Sequence, residues 1–250
     1  MILLFLQLIK FKKSLLPKKV KSILKKEMNY SEIIKKLKSL SNPKNIEGMA
    51  RFGINPKNTL GISIPNLRKI AEEIKKESKE THELALKLWD SKIHEARILA
   101  GYIDQIDKVT EKQMDKWASQ FDSWDVCDQI CAFLFDKSPF SYKKAKEWTN
   151  KKEEFYKRAG FALMAVLAVH DKEVSDKKLM EFFPYIKKHA TDERNYVKKA
   201  VNWALRQIGK KRKSLRKPAI DCAEEILKLY PNSKSARFVA NDAIRELKKQ

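Results

Sequence analysis

Phe155-Tyr-Lys-Arg-Ala-Gly-Phe-Ala-Leu-Met-Ala-Val-Leu-Ala-Val169 is the stretch on which the reading of the chain turns. After Arg158 it carries no charge and is apolar almost all round. A helix made of it has no face to give to water and belongs at the centre of a helical protein. Its neighbours are of the opposite kind, with apolar residues recurring at helical spacing and a polar face left over. These amphipathic segments cover approximately 29–40, 65–77, 80–90, 92–105, 110–120, 122–136, 141–149, 175–189, 193–209, 214–230 and 233–248. Only 6 Gly and 8 Pro interrupt the 250 residues, and strong helix formers dominate. A hydrophobic share of 43% is ample for the core of one large domain. The chain reads as all-α.

Short connections imply antiparallel neighbours. Helix pairs recur roughly every 30 to 45 residues without a strict motif, which fits a HEAT-like helical-repeat solenoid with a concave basic face suited to a long ligand such as a duplex. The one sizeable irregular stretch is 41–64, where Pro, Asn and Gly cluster, and it runs into Gly61-Ile-Ser-Ile-Pro-Asn-Leu-Arg68. Pro65 suits the first helical turn, with Ser63 as a cap before it.

Lys and Arg number 54 against 32 Asp and Glu, a formal net charge of +22. Such a balance points to a polyanionic partner, with lysine-rich solubility as the competing account. Distribution favours the partner. From Arg194 to Lys217 the basic residues are Arg194, Lys198, Lys199, Arg206, Lys210, Lys211, Arg212, Lys213, Arg216 and Lys217, with no acidic residue among them. The helix end there would be served by one or two cations, so the excess argues for phosphate contacts.

Three cysteines are an odd count with no pairing framework, as in a reducing cytoplasm. Cys127 and Cys131 lie four apart, and His82, His94, His170 and His189 are scattered singly, so no metal site is expected and the reading is core cysteines and surface histidines. The apolar start Met1–Ile9 is followed, not preceded, by lysines and is too short to cross a bilayer, which takes about 20 apolar residues. Residues 1–27 are therefore read as an over-extended start or an appendage, and 28–250 as a single domain of a cytoplasmic monomer with no membrane partner.

Four residues break the pattern in an informative way. On the helix around Val197, the residues Ala200, Val201, Ala204, Leu205 and Ile208 share an apolar face, but Trp203 falls on the basic side with Lys199, Arg206 and Lys210. Trp124 and Asp128 stand one turn apart on a stripe away from Val126, Cys127, Ile130, Phe133 and Leu134. An indole beside a carboxylate suits a cationic sugar or base. Arg158 emerges near the start of the central helix, where its fixed charge wants a carboxylate or a phosphate.

At these residues the chain resembles the HEAT-like-repeat alkylpurine DNA glycosylases, the AlkD-type branch of the DNA alkylation repair proteins. The matching pieces are Gly61–Arg68, Ser123-Trp-Asp-Val-Cys-Asp128, Tyr156-Lys-Arg-Ala159 and Asn195-Tyr-Val-Lys-Lys-Ala-Val-Asn-Trp-Ala-Leu-Arg206, and the likeness covers about residues 29–248. The resemblance implies that Asp128, Trp124, Trp203 and Arg158 form the catalytic cleft. It also implies an activity, excision of N3- or N7-alkylated purines from double-stranded DNA, with no cofactor and with the carboxylate opposing an oxocarbenium-like transition state. Phosphate contacts are expected from Lys199, Arg206, Lys210, Lys211, Arg212 and Lys213. Ser123 departs from the family where a relative carries a second aromatic, which bears on substrate range. The competing readings are a helical-repeat protein that binds nucleic acid without catalysis, and a protein-binding scaffold.

Overall fold

The computed structural model describes residues 28–249. Among them there are helices and no strands. The expectation for residues 1–27 falls outside the described residues. In chain order the α-helices are α1 (Tyr30–Ser39), α2 (Pro43–Arg51), α3 (Ile64–Glu77), α4 (His82–Asp90), α5 (His94–Ile103), α6 (Glu111–Ser119), α7 (Trp124–Phe133), α8 (Ser141–Trp148), α9 (Glu154–His170), α10 (Asp176–Met180), α11 (Phe183–His189), α12 (Asn195–Lys211), α13 (Arg216–Leu229) and α14 (Lys234–Lys248).

The helices stack as a solenoid. One row runs α3, α5, α7, α9, α12, α14, each packed on the next, and α4, α8, α11 and α13 pack against this row from outside. Helix α9 is the centre, as its composition requires: Ala159 to Ala168 are all buried, and α7, α8 and α12 cover it. Around it the indoles of Trp89 and Trp117 stack at 4.1 Å, and Trp148 fills the next layer beside Phe135. Each such fully buried large side chain contributes on the order of 1.5–3 kcal/mol. Cys127, Cys131 and Cys222 are unpaired and buried, so they serve the core. None of the described helices is long and apolar enough to cross a membrane.

Two expectations need correction. The stretch 41–64 is not wholly irregular, because α2 lies within it. Asn42 caps this helix by accepting from the Asn45 amide, and Pro43 occupies its first turn. No residue of α2 is fully buried, and a short helix opened by Asn and Pro and carrying a Gly reads as a loop. The segment 175–189 is two helices, α10 and α11, because Pro184 cannot continue a helix but is tolerated in the first turn of the next one.

The entry to α3 shows how the row is fixed. Ser63 is its cap residue, yet its side chain makes no capping bond. Instead the wholly buried Glu95 of α5 accepts from the amides of Leu60, Gly61 and Ile62 at 2.8, 2.7 and 3.2 Å. Gly61 sits at φ +76°, and a Cβ there would lie 2.3 Å from the Asn42 carbonyl. A buried carboxylate and a glycine thus hold α2 against the start of the row.

Candidate functional site

Helices α7, α9 and α12 bring their N-terminal halves together, and three of the four expected cleft residues sit there. Asp128 and Trp124 are one turn apart on α7, and Arg158 comes from the first turns of α9. Arg158 does not emerge to solvent. It is 6% exposed, and it is gripped from two sides. Its Nε donates to Asp128 Oδ1 at 2.9 Å and its Nη2 to Oδ2 at 2.7 Å, while Nη1 donates to the Tyr196 carbonyl of α12 at 2.7 Å. With each nitrogen engaged inside the protein, the arginine serves the carboxylate and not a phosphate.

Asp128 keeps 17% of its side chain exposed, so the pair is not sealed from solvent. Burial pushes its carboxyl above the ordinary value, the Arg158 guanidinium pulls it back down, and the like charge of Asp125 adds to the upward push. The cation therefore works to keep a partly desolvated carboxyl ionised.

Trp124 is half-buried at the head of α7. Its indole Nε1 donates to the Phe52 carbonyl at 3.1 Å, so what it offers a ligand is its ring, not its N–H. Next to that carbonyl, the Gly53 carbonyl accepts from the Tyr196 hydroxyl at 2.9 Å. The segment after α2 is thereby tied to both α7 and α12. An open cavity of about 600 Å³ lies beneath it, lined by Met49, Phe52, Ile54, Ile62 and Trp124, with Lys44 and Arg51 also in its wall.

Trp203 stands two turns beyond Tyr196, on the same stripe of α12 and about 10 Å further along the axis. It is half-buried against the core and makes no hydrogen bond or ring contact with Trp124, Asp128 or Arg158 among the described residues. Of the expected phosphate contacts, Lys199, Lys211 and Lys213 are exposed and have no carboxylate partner among the described residues. Arg206 and Lys210 are different, pairing across to α14 with Asp242 at 3.3 Å and Glu246 at 3.0 Å. Arg212 donates to the Asp171 carbonyl at 2.5 Å. The stretch that is free of acid in sequence is thus partly neutralised by the next helix of the row.

Sequence reasoning missed the support beneath Trp124. His94 is buried, not a surface histidine, and its Nε2 bonds Asp125 Oδ2 at 2.8 Å while Ser123 Oγ donates to Asp125 Oδ1. Burial opposes charge on His94, but the Asp125 bond and the carboxylates of Asp125, Glu95 and Asp122 outweigh it and raise its pKa above the ordinary value. Tyr196 and Phe155, whose rings lie 5.2 Å apart, were missed as well. Tyr196 stands within a motif that was noticed, but its role depends on Gly53, and no local signal could reveal that.

The solved structures include one chain with this fold, from a group described as related to the HEAT-like repeat DNA glycosylases with affinity for branched DNA structures. It superposes with a TM-score of 0.70 at 20% identity, over 80% of this chain and 83% of that one. Two curated relatives are the uncharacterized protein Lin0241 of Listeria innocua serovar 6a, 23% identical, and the uncharacterized protein Lmo0209 of Listeria monocytogenes serovar 1/2a, 22% identical. Each similarity spans 89% of this chain and 97% of the relative. The family described as DNA alkylation repair enzyme matches residues 33–247, which is nearly all of the described helical stack, and the chain belongs to that family.

Proposed function

We propose that the protein is a DNA glycosylase that hydrolyses the N-glycosidic bond of N3- or N7-alkylated purines in duplex DNA. The observation that carries this reading is the Asp128 carboxylate, held on both oxygens by Arg158 on a side chain that is not fully buried. An alkylated purine carries a positive charge. When the C1′–N bond breaks, the electron pair passes to the base, which leaves neutral without needing an acid. Positive charge then develops on the deoxyribose, and a preorganised carboxylate stabilises it at no reorganisation cost. Water adds to C1′ and gives its proton to Asp128 or to solvent. Trp124 supplies a ring for the cationic sugar to face, and Trp203, on the stripe of α12 that carries Tyr196, supplies a second. Duplex DNA is met by the exposed cations of α12 and the turn after it.

The test is release of 7-methylguanine and 3-methyladenine from methylated duplex DNA by the purified protein, with Asp128→Asn beside it. Release by the wild type alone supports the reading, and no release by either overturns it. A second reading, duplex binding without base excision, is favoured by one observation: Arg158 already neutralises both Asp128 oxygens. Under that reading the wild type binds DNA and releases nothing.

A further inference from the structure

We infer that Phe52 is a wedge that enters the base stack of bound duplex DNA and sets the preference for a damaged step. The inference rests on the reading that the ligand is duplex DNA. It does not depend on base release.

Phe52 is 76% exposed, far more than any other large hydrophobic side chain among the described residues. Packing does not account for it, since no residue of α2, which it follows, is fully buried. It is nevertheless held in place. The carbonyls of Phe52 and of its neighbour Gly53 accept from Trp124 and Tyr196, two cleft residues that come from different helices and lie far away in sequence. Gly53 is built for this position. Its φ is +73°, and a Cβ there would fall 1.9 Å from the Tyr196 hydroxyl oxygen. An exposed aromatic is thus anchored by its own backbone at the wall of the cavity that Trp124 also lines.

The surroundings select the partner. Lys44, Arg51 and Lys57 are exposed on the same segment and have no carboxylate partner among the described residues, against one acid there, Glu47. A lone aromatic between unpaired cations matches a base step between phosphates: the ring meets bases, which all offer a π-face, and the cations meet the backbone. Opening a step costs least where a base is damaged or mismatched, so a wedge tied to Trp124 favours the lesion before any chemistry occurs.

The experiment uses the full chain and a duplex carrying 2-aminopurine, whose fluorescence rises when it is unstacked. Wild-type binding is expected to raise the fluorescence. Phe52→Ala is expected to bind roughly tenfold more weakly, having lost a stacking contact, with no rise and with an unchanged dependence of binding on salt, since no phosphate contact is removed. Phe52→Trp should restore the rise. Gly53→Ala should behave like Phe52→Ala, because a side chain at this positive φ strains the turn and its methyl group meets the Tyr196 hydroxyl, displacing the tip and lowering the melting temperature modestly. Binding by the wild type without a rise, or a full rise with Phe52→Ala, overturns the wedge alone. Failure of the wild type to bind any duplex overturns the duplex reading and the wedge together. Absence of base release touches neither readout.

Discussion

Arg158 and Asp128 act as one unit: two parallel hydrogen bonds join guanidinium to carboxylate, and the arginine's remaining nitrogen closes on the Tyr196 carbonyl, so α7, α9 and α12 meet at a single charged joint. Such a buried pair adds little net stability over an apolar packing of the same volume. Breaking it by removing one partner is costly, because the other charge is left unmatched. The joint therefore has two separable roles, holding three helices in register and presenting an oriented carboxylate.

Asp128→Asn separates them. The amide oxygen still accepts one bond from Arg158, but the charge is gone, so base release is expected to be lost. The cost to the fold is about 3 kcal/mol, which for a domain of this size lowers the melting temperature by roughly 6–12 °C. Assays run below that temperature measure chemistry alone. Release of 7-methylguanine at the wild-type rate would make Asp128 purely structural.

The pH dependence of base release follows from the same pair. The ionised carboxylate is the active form, and burial places its pKa above the ordinary carboxylate value of about 3.9. The rate should hold on the neutral side and fall as the pH drops through that raised value. Arg158→Gln removes the cation that pulls the pKa down, so the acid limb should move to higher pH. A pH–rate profile whose limb stays in place assigns it to another group.

His94 and His189 predict opposite pH effects on stability. His94 has a raised pKa in the folded protein, so its contribution is complete below the unfolded value of about 6.5 and is lost as pH rises through the folded value. His189 is pushed down to about 4, chiefly by burial, with Lys157 and Lys188 adding to it. Its contribution is complete above the unfolded value and is lost as pH falls towards the folded one. Melting curves should therefore show the gap between wild type and His94→Asn shrinking on the alkaline side, and that between wild type and His189→Asn shrinking on the acid side. Gaps that do not change with pH would rule out these titrations.

The basic residues of α12 and the turn after it should divide into two groups. Lys199→Ala, Lys211→Ala and Lys213→Ala each remove an unpaired cation, and each should reduce the slope of log K against log salt by about 0.9. Arg206→Ala and Lys210→Ala break ion pairs with Asp242 and Glu246, so their effect on the slope should be smaller. Titrations of duplex DNA at several salt concentrations decide it, and equal effects across all five would show that the α14 pairs open on binding.

Several features could be read without coordinates because they are local. The apolar run of α9 could only be a buried helix, and the periodicity of its neighbours located nearly every element, since burial of one face imprints its spacing on the sequence. Trp124 and Asp128 share a stripe because they lie one turn apart. Where an element is short and rich in Asn, Pro and Gly, as α2 is, turn-forming residues mask its period and the helix went unseen. Contacts across the fold left no trace either. The tertiary structure alone decided that Arg158 turns inward to Asp128, that Glu95 clamps the entry to α3, that α14 pairs with two cations of a basic stretch, and that Tyr196 and Trp124 hold Gly53 and Phe52. The reason is physical: a side chain's partner depends on which helix packs beside it, and periodicity along one helix says which face is buried but not what buries it.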